Sequence, residues 1–146
     1  MRMLQSICTV LTLMFFLSAA HAAGPAATEV IDCYKAWDAA FNKGDAKALA
    51  DLYDEDLVFL PANHEIIRDR RNLEKFFAAL FKMGVTNHRL ELIEAGGAGD
   101  MIFGAAKWSA DGKDKDGKDQ PWGGVTSHVF TKQASGIYKI RLHTFN

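Results

Sequence analysis

The stretch VIDCYKAWDAAFNKGDAKALADLYDEDLVFLP, residues 30–61, decides the fold. Val30, Cys33, Trp37, Ala40 and Phe41 recur at helical spacing and make one stripe of an amphipathic helix. Thr28 is placed to cap its start and Gly44 to end it. Asp45 then caps a second, shorter helix through Tyr53, with Leu49, Leu52 and Tyr53 as its apolar face. Leu57 to Leu60 is a short apolar run stopped by Pro61, which predicts a buried or edge strand.

Downstream, a loop is expected from Ala62 to about Arg70, with Arg68, Arg70 and Arg71 in a solvated loop and helix start. Leu73, Phe76, Phe77, Leu80 and Phe81 fall at the repeat of a third helix, and Gly84 stops it. The period then changes. Residues 88–93, 101–109, 123–132 and 137–145 read as strands. Gly96, Gly97 and Gly99 break the first pair, the polar run 111–120 forms a long hairpin, and 133–136 turns the last pair. Helices first and strands afterwards give the α+β class, a bent antiparallel sheet wrapped as a cone around three helices. The mouth of such a cone is a natural small-ligand site.

Upstream, Arg2, an apolar run from Leu4 to Leu17 and Ala20-His21-Ala22 follow the order of a secretory signal. The run is short for a membrane span, which takes about 20 apolar residues. Cleavage is expected before Ala23, giving a single domain over 23–146 in the periplasm or outside the cell, with no membrane contact after processing. That domain has 16 basic against 18 acidic residues, spread without a stripe, so nucleic acid is not expected as a partner. Cys33 is the only cysteine left after cleavage and reads as a buried small hydrophobe, since no histidine beside it activates a thiol; an intermolecular disulfide is the remaining option. His64, His88, His128 and His143 lack metal-site spacing, so no metal is expected. The run Asp111–Gly117 lacks the first and last acids of a calcium loop, and no phosphate or dinucleotide fingerprint or other cofactor motif occurs.

Three segments resemble the opening of SnoaL-like, ketosteroid-isomerase-like domains, in the superfamily named after nuclear transport factor two: Tyr34-Lys-Ala-Trp37-Asp-Ala-Ala-Phe41-Asn-Lys-Gly44-Asp45, then Ala48-Leu49-Ala50-Asp-Leu52-Tyr53, then Asp56-Leu-Val-Phe59-Leu60-Pro61. Gly99-Asp100, Gly104, Asp114–Gly117, Gly136-Ile-Tyr138-Lys-Ile140 and the terminal Thr144-Phe145-Asn146 extend the likeness. The resemblance implies a cystatin-like cone, a deep pocket and often a homodimer, without fixing one activity. A ketosteroid isomerase uses an aspartate base with a tyrosine and a protonated acid. By this likeness the tyrosine position falls on Trp37, the base on Pro61 and the acid nearest His128. Steroid-type isomerisation is therefore not expected.

If the last strand keeps the family's facing, Arg141, His143 and Phe145 point into the cone. His128 then lies opposite Arg141, with Phe130 on the same face and His64 at the rim. Trp37, Phe59, Phe77 and Trp108 complete the expected ligand wall, with Trp122 a further candidate. His128 with His143, or with His64, is the candidate acid–base pair. In this facing Tyr138, Ile140 and Leu142 lie outside and need cover from a second copy. The opposite facing buries those three and turns Arg141 and His143 outward. Three functions follow: a binder of a small, partly apolar, anionic or carbonyl-bearing molecule; an enzyme of the same fold, whether dehydratase, isomerase or hydrolase, using histidine acid–base chemistry; or a homo-oligomeric assembly module.

Overall fold

The computed structural model describes residues 24–146, so the export signal expected over 1–22 lies outside the described residues. The first helix, α1 (Pro25–Asn42), begins earlier than Thr28, because Pro25 suits the first helical turn, where its missing N–H costs nothing. Its buried face is Val30, Tyr34, Trp37, Ala40 and Phe41. Tyr34 takes the place expected for Cys33, which is half-buried; burial, with Glu29 and Asp32 nearby, pushes its thiol up to about 11. The chain leaves α1 through Gly44 at φ +69°, a left-handed turn that suits glycine.

The second helix, α2 (Ala46–Asp51), is capped as expected by Asp45, whose carboxylate accepts from the Ala48 N–H at 2.9 Å. It stops before Tyr53. That residue instead opens β1 (Tyr53–Leu60), with Tyr53, Leu57 and Phe59 buried. Between Tyr53 and Val58 the ladder is interrupted. Asp54 is tied there to Thr131 and Gln133, and Asp56 stands beside Arg141. This acidic excursion hides the start of the strand from a reading based on apolar runs.

A third helix, α3 (Arg70–Lys82), is capped by Asp69 and buries Leu73 and Phe77. Arg70 is not simply solvated. Its guanidinium donates twice to the Tyr53 carbonyl, at 3.0 and 2.7 Å, and pins α3 to the start of β1. The remaining strands are β2 (Thr86–Ala98), β3 (Met101–Lys113), β4 (Asp119–Lys132) and β5 (Tyr138–Phe145). They are longer than apolar periodicity predicts: Gly96 and Gly97 lie within β2, and the 111–120 hairpin shrinks to a turn around Asp114.

The sheet order is β1-β5-β4-β3-β2. Neighbours are antiparallel except β1, which joins β5 in parallel, so the sheet is mixed and mostly antiparallel. The sheet curves around α1, which touches β2, β3 and β5. The core fills the space between them. Among the described residues no helix is long and apolar enough to cross a membrane.

Candidate functional site

The cone encloses a chamber of ≈ 70 Å³ between α1, α3 and the inner faces of β2 to β5. Trp37, Phe41, Phe77, Trp108, Trp122 and Phe145 make its aromatic wall. Its polar residues are His88, Thr126, His128 and His143. Leu80, Trp122 and Phe145 also line an open groove of ≈ 920 Å³ between the 61–69 loop and α3, so chamber and groove adjoin. No lysine, arginine or carboxylate lines the chamber.

The facing of β5 combines both sequence readings. Val129 pairs with Leu142, but Phe130 pairs with Ile140, leaving Arg141 as an extra residue in a bulge. A bulge resets the two-residue alternation. Ile140 and His143 are therefore both buried, although strict alternation puts them on opposite faces. His128 lies across from His143, not Arg141, and the two rings are 4.0 Å apart between centroids. Arg141 is displaced from the chamber and reaches Asp56 at 3.7 Å, half-exposed. The expectation that Arg141 faces a ligand is corrected by this bulge. The expected outer trio is corrected too: Ile140 belongs to the core, and the Tyr138 hydroxyl donates to the Gly99 carbonyl.

Other expected ligand residues divide by position. Trp37, Phe77, Trp108, His128, His143 and Phe145 line the chamber. Phe59 and Phe130 are fully buried behind it, Phe59 against the His143 ring and Phe130 against His128. His64 is exposed in the turn after Pro61 and lines neither chamber nor groove.

Two tyrosines that the sequence reading left out of the site hold the paired histidines. The Trp37 indole N–H donates to the Tyr53 hydroxyl at 3.2 Å, and that hydroxyl meets Nδ1 of His143 at 2.7 Å. The Tyr34 hydroxyl lies 3.3 Å from Nδ1 of His128. Gly104, paired with His128 across the sheet, makes room for Tyr34: a Cβ there meets the hydroxyl and a Val30 methyl, each at 2.5 Å. Burial raises both tyrosines above their ordinary range, so they stay protonated donors at neutral pH. Burial, then the nearness of a second imidazole at His88, lowers His128 to about 3. Burial, then His128 and His88, holds His143 well below the usual imidazole value. Both are neutral at neutral pH.

His88 is the residue the sequence reading undervalued. It alternates with Leu90 and Leu92, which marks the inner face of β2. Its Nδ1 lies 2.8 Å from Asp38, whose other oxygen accepts from the Leu90 N–H at 3.0 Å. Asn42, one turn further along α1, brackets the His88 backbone on both its N–H and its carbonyl. Its ring packs on Trp37 and stacks parallel to Trp108. Among the described residues no three His, Cys, Asp or Glu side chains are grouped to hold a metal.

A helix-filled α+β cone with an aromatic chamber and a histidine floor defines a class of pocket domain. The sequence signature of the SnoaL-like domain matches residues 34–139, and the chain belongs to that family. Its fold is shared with a ketosteroid isomerase-like protein from Erwinia carotovora atroseptica, at 18% identity and TM-score 0.73 over 84% of this chain and 95% of that one. A putative calcium/calmodulin dependent protein kinase II association domain from Xanthomonas campestris is 26% identical, with TM-score 0.66 over 85% and 91%. An NTF2-like protein with a cystatin-like fold from Novosphingobium aromaticivorans is 16% identical, with TM-score 0.68 over 82% and 80%. No curated protein matches the sequence.

Proposed function

We propose that this protein is exported and binds a small, neutral, largely apolar molecule that carries a carbonyl or hydroxyl group at one end. The observation that carries the reading is an aromatic chamber whose only titratable groups are three histidines. An apolar cavity of about 150 Å³ accommodates a benzene ring. A chamber of ≈ 70 Å³ is suited to the polar end of a ligand and a few carbons, with the remaining apolar body in the groove. With Arg141 outside the chamber wall, no cation there offsets the desolvation of an anion. The carbonyl-bearing ligand is therefore favoured over the anionic one.

A matched pair of probes tests this. Pentyl methyl ketone and hexanoate share one tail and differ in head group. The ketone is expected to raise stability by about 2.7 kcal/mol at a hundredfold excess over its dissociation constant, read by thermal melting. It is also expected to change the intrinsic fluorescence, because all three tryptophans line the chamber. Hexanoate is expected to do neither. Stabilisation by hexanoate and not by the ketone would overturn the reading.

A second reading, an acid–base enzyme, is favoured by one observation: a carboxylate holds His88 at the chamber wall. This is the arrangement by which a histidine is oriented for proton transfer. In that reading His88 with Asp38 replaces the His128–His143 pair expected from sequence. Turnover of a bound carbonyl compound that His88→Gln abolishes, with binding intact, would establish it; turnover unaffected by that change would remove it.

The homodimer is proposed on a different surface from the one first expected. Ile93, Met101, Phe103 and Val125 are exposed on β2, β3 and β4. An apolar patch of this kind on a sheet face suits a second copy. Light scattering should give twice the monomer mass for the wild type and the monomer mass for Phe103→Lys. A wild-type monomer at micromolar concentration would contradict the proposal.

A further inference from the structure

The hydrogen-bond inventory around the chamber fixes where two protons sit. Indole N–H is a donor only, so the Tyr53 oxygen accepts from Trp37 and its own hydroxyl proton is left to donate. Its remaining partner is Nδ1 of His143 at 2.7 Å. If His143 carried its proton on Nδ1 instead, the Tyr53 hydroxyl proton would be buried without an acceptor, at a cost of about 1–3 kcal/mol. His143 therefore carries its proton on Nε2. His88 has the opposite constraint. An ionised carboxylate only accepts, and Asp38 already accepts from the Leu90 N–H. The 2.8 Å contact to the other carboxylate oxygen requires a proton on Nδ1 of His88. When the ring is neutral, that leaves its Nε2 as a lone pair.

The Nε2 atoms of these two rings have different surroundings from that of His128. His128 Nε2 is sealed and has no protein partner. Those of His88 and His143 are not among the sealed atoms, and both residues line the chamber. We infer that Tyr53 and Asp38 lock the two chamber histidines into opposite tautomers, so that the chamber offers a ligand one imidazole donor, Nε2–H of His143, and one imidazole acceptor, Nε2 of His88. The ligand class this selects is a neutral molecule bearing both an acceptor and a donor at its polar end, such as a hydroxyketone. The ketone oxygen takes the His143 proton donor, and the hydroxyl donates to His88. The inference rests on the chamber being the ligand site and adds what that site distinguishes.

The tautomers are read without any ligand. Long-range proton–nitrogen NMR of the nitrogen-15-labelled mature chain at neutral pH, with signals assigned through His88→Gln and His143→Gln, should show Nε2 protonated in His143 and Nδ1 protonated in His88. Tyr53→Phe removes the hydroxyl that fixes His143 and should move or mix its signals alone. The same tautomer in both rings, or an unchanged His143 in Tyr53→Phe, would overturn the inference. For the ligand, pentyl hydroxymethyl ketone should bind about tenfold more tightly than pentyl methyl ketone, the worth of one added hydrogen bond. The gain should vanish in His88→Phe and persist in His64→Ala, a change on the exposed loop. A gain that persists in His88→Phe, or no gain in the wild type, would overturn the selection. Opposite tautomers with no binding of either ketone would instead overturn the binding function proposed above and leave the tautomer lock standing.

Discussion

Acidification from neutral pH should begin to destabilise this domain below about pH 6.5, before its carboxylates titrate. His128 is lowered from 6.5 to about 3, and His143 well below the same starting value. Above about 6.5 the folded and unfolded chains hold both imidazoles neutral, and the fold keeps its full stability. As pH falls from there toward 3, the unfolded chain binds protons that the fold cannot accept. Each histidine then removes about 1.4 kcal/mol per pH unit. The groups facing the pair from the packed elements are Tyr34, Tyr53 and His88, and no carboxylate touches either ring. His128 Nε2 has no partner for a positive charge. Against a total stability of roughly 5–15 kcal/mol, this loss brings a domain at the low end of that range to unfolding as pH approaches 4. Asp54 is lowered by its bonds to Thr131 and Gln133, so its contribution is lost only below the ordinary carboxylate range, in a separate window. Urea midpoints measured at several pH values should fall steeply between the two limits. In His128→Phe the slope should lose about one histidine's share. A flat profile down to the carboxylate range would mean that the histidines are not buried as described.

Trp37→Ala should give the largest loss of any single truncation at the site, about 3–5 kcal/mol. The indole is 4% exposed, and its ring packs on Phe41, Phe77, His88 and His143. Its N–H also anchors the Tyr53 hydroxyl. Trp37→Phe separates these roles, since it keeps most of the volume and loses the donor. It should cost about 1–2 kcal/mol and loosen the orientation of His143. Urea unfolding gives both numbers. A loss under about 1 kcal/mol for the alanine variant would mean that the chamber wall collapses to fill the gap, and the ligand would then have no preformed site.

Much of the fold could be read from local pattern because helices declare themselves locally. The stripe from Val30 to Phe41, the Asp45 cap and the apolar face of α3 are set by residues within a turn or two of one another. Strand limits were less legible. The polar run Asp54–Asp56 concealed the start of β1, because its interruption is compensated by partners on β4 and beyond. The bulge at Arg141 was invisible for the same reason: it exists in the pairing of β4 with β5, and no residue of β5 announces it. That single extra residue decided the facing of Ile140, Arg141 and His143. It removed the cation from the expected site and kept the histidine.

The site was half legible. Aromatic residues on inner faces, together with His128 and His143, followed from alternation and from the family likeness. Tyr34, Asp38 and Tyr53 did not, because their roles depend on which polar atom meets which histidine across the cone. His88 carried a signal that was present and passed over, its alternation with Leu90 and Leu92 on the apolar face of β2.

The central claim is that the chamber receives the polar end of a neutral ligand. The most direct measurement is a crystal structure of the domain over residues 24–146 soaked with pentyl methyl ketone. The account predicts density for the carbonyl inside the aromatic wall, its oxygen within hydrogen-bond distance of Nε2 of His143, and the tail leaving past Leu80 and Phe145 into the groove. A ketone bound only on the outer sheet face, or a chamber that stays free of it at saturating concentration, would contradict the account.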